Sequence, residues 1–139
     1  MLQKLQGLQD SIVTTVVGDK TVKVVNTTPH ALNMVSEDLK LQIEVPASGV
    51  LINAKSEAIP VDSGIDGIKF LKTEFIPDTD TMDALKAFKA ANPDVIIIGS
   101  MIAMNAYPGL VVAMVPHPDY KRVAPADKRM LIDTYSVSK

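Results

Sequence analysis

The segment DTDTMDALKAFKAANPDVIIIGS, residues 78–100, decides how the chain is read, because the period of its apolar residues changes halfway along. Its first turn is acidic, Met82, Leu85, Phe88 and Ala91 recur at three-residue spacing, and Asn92-Pro93 supplies a stop. That combination predicts a helix over residues 80–91. Residues 95–98 then form an all-apolar run of the kind found in parallel strands covered on both faces. With IKFLKTEF (68–75) in front, the spacing predicts one βαβ-like unit with a right-handed crossover. IKFLKTEF alternates without choosing an apolar face, the pattern of a strand buried on both sides. Downstream, MIAMNAY (101–107) reads as a short helix starting at Ser100. LVVAMV (110–115) and MLIDTYSV (130–137) read as strands on either side of the polar loop PHPDYKRVAPADKR.

Upstream of the segment the chain reads as β. SIVTTVVGDKTVKVV (11–25) holds two β-branched runs joined by Gly18-Asp19, the chemistry of a two-residue II′ hairpin turn. LKLQIEV (39–45) alternates, with Leu39, Leu41, Ile43 and Val45 on one face; PASG follows as a turn and VLINAK (50–55) as the returning partner strand. PVDSGIDG (60–67) has loop composition. At the start, Leu2, Leu5, Leu8 and Ile12 place one apolar stripe on a short N-terminal helix that Gly7 weakens. The stripe serves as a core or subunit contact, and the partner it predicts is a second copy of the chain. The expected fold class is α+β: one domain over residues 1–139, with a mainly antiparallel twisted sheet, one βαβ-like unit and a short N-terminal helix.

Composition removes several function classes. The chain has 139 residues and no cysteine, so disulfides, thiolate catalysis and Cys-based zinc sites are excluded. Its net charge of −2 comes from scattered charges with no basic block, which argues against nucleic acid as a partner. No apolar run reaches the roughly 20 residues that span a bilayer, and the first ten residues lack the pattern of a signal peptide. No membrane partner and a cytoplasmic location are therefore expected. Three Phe, three Tyr and no Trp give little for a carbohydrate or base-stacking platform.

Three segments could carry chemistry. In VVNTTPHALNMV (24–35), Pro29 lacks an N–H and restricts Thr28, so the chain must bend there. The Asn and Thr side chains can satisfy the backbone of that bend. Alternatively, Asn26, Thr28 and His30 present an amide, a hydroxyl and an imidazole to one ligand pocket. Gly99-Ser100 stands at a strand end and helix start, where a serine N-cap competes with an anion site. It lacks the further glycines of a P-loop or dinucleotide fingerprint. PHPDYKR gathers His117, Asp119 and Arg122; Arg122 is the candidate anion contact. His117, Asp119 and His30 form the one conceivable two-His, one-carboxylate metal set, but no metal and no cofactor are expected.

VVNTTPHALNMV also resembles the N-x-T-P-H opening of a group of small, uncharacterised proteins of bacteriophages and their bacterial hosts. There the opening is followed by a Pro/Gly turn, a strand ending in small residues, and a Pro-rich segment with an arginine. VPASGVLINA (45–54), VIIIGSMIAMNAYP (95–108) and PHPDYKR (116–122) stand here in that order. The resemblance implies a phage-associated context, an anti-defence accessory role being one form of it, in the host cytoplasm. For positions it implies interest in Asn26, Thr28, Pro29, His30, Ser100 and Arg122. It brings no activity.

Three functions follow as expectations. The first is a non-enzymatic module that binds a small, nucleotide-like anion through Asn26, Thr28, His30, Ser100 and Arg122. The second is a structural protein that assembles into a homo-oligomer through the Leu stripe. The third is a hydrolase or transferase using His30. It ranks last because no nucleophile, base and orienting acid share a telling spacing.

Overall fold

The computed structural model describes residues 2–52, 54–124 and 127–138. Val13–Val17 (β1) and Lys20–Asn26 (β2) pair antiparallel with Val17 opposite Lys20, which leaves Gly18-Asp19 as the turn. Gly18 takes φ +62° and Asp19 stays negative, the II′ arrangement that lets the strands keep their natural twist. Leu32–Val35 (β3) and Gln42–Val45 (β4) form a second hairpin. Leu39 does not join that strand face. It adopts φ 63° in the connecting turn, where its N–H donates to Ser36 O at 3.0 Å and Asp38 Oδ1 accepts from Ser36 Oγ at 2.6 Å.

VLINAK does not return along β4, whose partner is β3. Within it, Asn53 lies outside the described residues. The chain instead enters Ala54–Asp62 (β5) and Lys69–Pro77 (β6), which pair only with each other as a two-stranded arm. So the first three residues of PVDSGIDG are strand, and the loop runs from Ser63 to Ile68.

Thr79–Ala91 forms α2, close to the span its periodicity predicts, with Thr81, Ala84, Leu85 and Phe88 buried. Asp78 caps it: its carboxylate accepts from Thr81 N at 3.0 Å and Thr81 Oγ1 at 2.8 Å. Those two hydrogen bonds to Thr81 hold the Asp78 carboxyl below its ordinary value of 3.8, with Lys4 adding a smaller attraction. Because the folded value is the lower one, the cap's full stabilisation is present above pH 3.8 and is lost as the pH falls through the folded value. Asp78→Asn, which caps without titrating, is expected to flatten that part of the acid limb in thermal melts run from pH 6 downward.

Val95–Ile98 (β7), Met101–Ala106 (α3) and Val111–Pro116 (β8) follow. A single 3-10 turn at Pro118–Tyr120 precedes the last strand, Met130–Ser136 (β9). The main sheet has seven strands in the order β1-β2-β7-β8-β9-β3-β4. It is mixed: β2/β7, β7/β8 and β3/β9 are parallel, whereas β1/β2, β8/β9 and β3/β4 are antiparallel. The expected unit around α2 is not formed by its sequence neighbours, since β6 belongs to the arm and β7 pairs with β2 and β8. The strand–helix–strand link between adjacent parallel strands is β7–α3–β8, one helix later.

Two apolar clusters hold the domain. Leu85 and Phe88 of α2, Ala103 and Ala106 of α3, Tyr107, and Leu8 of Leu2–Asp10 (α1) cover one side of the sheet, against Val25, Val95, Ile97 and Val111. Val22, Val24, Met34, Val45, Ile98 and Ile132 form the second cluster, drawn from strands alone. β7 therefore feeds both clusters, as its all-apolar sequence requires. Asn26 Nδ2 donates to Val45 O at 3.2 Å, although four strands separate β2 from β4 in the sheet order. The sheet thus curls, nearly as a barrel, until its two ends meet.

The Leu stripe is used within the chain. Leu8 is 1 % exposed and Leu5 and Ile12 pack against the same cluster, while the side chain of Leu2 lies outside the described residues. Lys4 ties the helix down, its Nζ donating to Thr81 Oγ1 at 2.7 Å and lying within 3.9 Å of Asp78 and 3.8 Å of Asp80. Among the described residues no helix is long and apolar enough to cross a membrane.

Candidate functional site

Asn26, Thr28 and His30 do come together, in the bend that closes the curled sheet. Asn26 ends β2 and is fully buried. Its two amide hydrogens go to His30 O at 2.7 Å and Val45 O at 3.2 Å. Its Oδ1 accepts from Thr28 N at 2.9 Å and Thr28 Oγ1 at 2.6 Å. Two donors and two acceptor positions are the whole capacity of an asparagine side chain, and the chain itself fills them. The Asn26 backbone carbonyl accepts from Ser48 N at 2.9 Å, which pins the turn after β4 to the same point. Pro29 and the His30 side chain are exposed, and the contacts that hold His30 run through its carbonyl.

Ser100 lies one strand away, because Asn26 is level with Ile98 of β7. Thr27 crosses that gap, its N and Oγ1 both donating to Ile98 O at 2.9 and 2.7 Å. The Ser100 hydroxyl accepts from Ala103 N at 3.1 Å, so it caps α3. Gly99 is glycine for space. A Cβ there would stand 2.6 Å from Val111 Cγ1, 3.2 Å from Thr27 Oγ1 and 3.3 Å from Ala103 Cβ. Gly99→Ala is expected to cost about 1–3 kcal/mol by overpacking, read from the midpoint of urea unfolding.

Arg122 is exposed in the loop after β8, and no contact among the described residues joins it to Asn26, Thr28, His30 or Ser100. Pro125 and Ala126 of that loop lie outside the described residues. His117, by contrast, is 4 % exposed and carries the loop. Its Nδ1 accepts from Asp119 N at 3.1 Å and its Nε2 meets Glu37 O at 2.8 Å, which assigns the ring hydrogen to Nε2. Both ring nitrogens are thereby engaged in joining the loop to the β3–β4 turn. Tyr120 packs edge-on to the His117 ring at 5.9 Å, and the Arg129 guanidinium lies 5.8 Å above the Tyr120 ring. Among the described residues no group of three metal-ligating side chains converges.

The clefts between elements lie elsewhere. One, between α1 and α2, is lined by Leu5, Gln6, Gln9, Phe88 and Asn92. Another lies between the β1–β2 and β3–β4 turns, with Asp19, Glu37, Asp38 and Asp133 set against Lys20, the wrong sign for an anion. Burial, with the Asp133 charge adding to it, pushes the Tyr135 hydroxyl well above its ordinary value, so it stays neutral and donates to Ile132 O at 2.7 Å.

The most unusual surface is the arm, within which IKFLKTEF was expected to be buried on both sides. β6 is open on both faces, with Phe70 50 % and Leu71 63 % exposed, and the tip adds Ile65 at 57 % and Ile68 at 53 %. Its base is tied to the domain: Phe75 and Ala54 touch the helical cluster, and α3 packs against both strands. The signal in the sequence was the missing face preference of IKFLKTEF, which fits a strand covered on neither side as well as one covered on both.

Comparison with protein-family models, with curated proteins and with solved structures finds no match to this chain.

Proposed function

We propose that this chain is a non-enzymatic assembly protein that associates with further copies of itself through the β5–β6 arm. The observation that carries this reading is the arm's apolar surface, in which Ile65, Ile68, Phe70 and Leu71 stand at least half exposed on one projecting element. Several large apolar side chains left exposed on one projecting element mark a contact with another macromolecule. The polar groups at the end of β2 support the same reading from the other side, because Asn26 and Thr28 are consumed by the turn they build. The arm, and not the Leu stripe, is then the contact between subunits.

Phe70→Ser combined with Leu71→Ser tests this. Both side chains are exposed, so the melting behaviour should stay near that of the unaltered chain, within about 0.5 kcal/mol. Sedimentation velocity of the unaltered chain should show association that grows with concentration, and the double variant should sediment as a monomer. An unaltered chain that stays monomeric, or association indifferent to both substitutions, would overturn the reading.

A further inference from the structure

The arm has two outer edges, and they are not alike. In the β5/β6 register Pro60 faces Leu71 and Pro77 faces Ala54, so both prolines fall in the same alternating class of cross-strand pair. A proline has no N–H to give to the ladder, so a regular antiparallel pair accepts it where the N–H would point away from the partner strand. That assigns outward-pointing backbone groups to the other residues of the class: Ala54, Ser56, Ala58 and Asp62 on β5, and Lys69, Leu71, Thr73 and Phe75 on β6. On β5, Pro60 interrupts the edge near its outer end. On β6 four successive outward N–H and C=O pairs run from Lys69 to Phe75, and among the described residues β6 has no strand neighbour other than β5. No backbone hydrogen bond from the rest of the domain reaches those four residues among the described contacts.

From this edge we infer that two copies of the chain join by antiparallel pairing of β6 with β6 about a two-fold axis at Thr73, which rests on the assembly reading above and specifies its contact. The strand is complementary to itself in that register. Lys72 falls opposite Glu74 of the second copy, Phe70 opposite Ile76 and Leu71 opposite Phe75, so charges meet opposite charges and apolar residues meet apolar ones on both faces. The register also resolves a feature that is unfavourable in the single chain. Glu57 and Glu74 stand directly across from each other, two like charges on one face. In the joined sheet, Lys72 of the second copy sits beside that pair. Leu71, Thr73 and Phe75 would exchange about six N–H···O bonds with their counterparts, giving a four-stranded sheet β5-β6-β6-β5. A two-fold contact of this kind closes on itself and uses up the β6 edge, while Pro60 interrupts each β5 edge left on the outside.

Thr73→Pro is the selective test, because it removes an N–H that points outward and leaves the β5 ladder intact, as Pro60 already does on the other strand. In sedimentation velocity it is expected to raise the dimer dissociation constant at least about tenfold, with the melting curve of the domain unchanged. Lys72→Glu, which keeps every backbone bond, should raise it about tenfold, and adding Glu74→Lys should restore it. In this cysteine-free chain, Thr73→Cys should be joined to its own copy by a short thiol cross-linker, while Val61→Cys on β5 should not. If the Phe70/Leu71 double variant disperses the oligomer but Thr73→Pro and the charge exchange do not alter it, the arm assembles by another surface and the edge pairing is overturned. A chain that is monomeric throughout overturns both.

Discussion

Asn26→Asp is expected to destabilise the domain by about 3–5 kcal/mol at neutral pH, the cost of a buried charge left without a partner. The substitution conserves shape and reverses chemistry. Two hydrogens that now reach His30 O and Val45 O would be replaced by a carboxylate oxygen facing two carbonyls, at a position fully shielded from water. Burial and the two carbonyls both disfavour the ionised form, so the introduced carboxyl would titrate above its ordinary range. The sign follows from linkage: the penalty is present above that raised value and shrinks as the pH falls through it, since the protonated acid can donate again. Guanidinium unfolding at pH 7 and near pH 4 checks both parts. A loss under about 1 kcal/mol would mean that the amide is not committed to the turn and is free for a ligand.

Phe88→Ala is the second large effect, about 3–5 kcal/mol, because it removes a ring that is 1 % exposed where α2 meets the sheet. Leu85, one turn earlier on the same helix face, and Leu8 of α1 pack in the same cluster and are themselves already buried. The midpoint of urea unfolding should drop while its slope stays constant, as for a change in native packing alone. Near-neutral behaviour would mean that α2 docks mainly through its cap and the Lys4 contacts.

Some of this architecture was readable before any coordinates. Gly18-Asp19 specifies its hairpin because a two-residue turn with one positive φ is a local property. α2 was legible because Asp78, the apolar spacing through Phe88 and the Asn92-Pro93 stop lie within one continuous stretch. For Asn26 and Thr28 the sequence left two readings, side chains that satisfy the bend or a set open to a ligand, and the hydrogen bond from Asn26 to Val45, nineteen residues away, is not visible in it. His117 was read as part of a polar loop, whereas its ring is buried and binds that loop to Glu37, eighty residues earlier.

What the sequence determined by itself was every feature whose partners are close in the chain: the first hairpin, the capped helix, the all-apolar β7 and the absence of cysteine chemistry. The tertiary structure alone decided strand partnership, and with it which faces are covered. β2 lies beside β7 and β3 beside β9, because backbone hydrogen bonds join any two strands that geometry brings level and carry no mark of residue identity. The same reason governs the arm. Alternation in a strand records that its side chains point two ways, and only the packing of distant elements determines whether anything stands there to meet them.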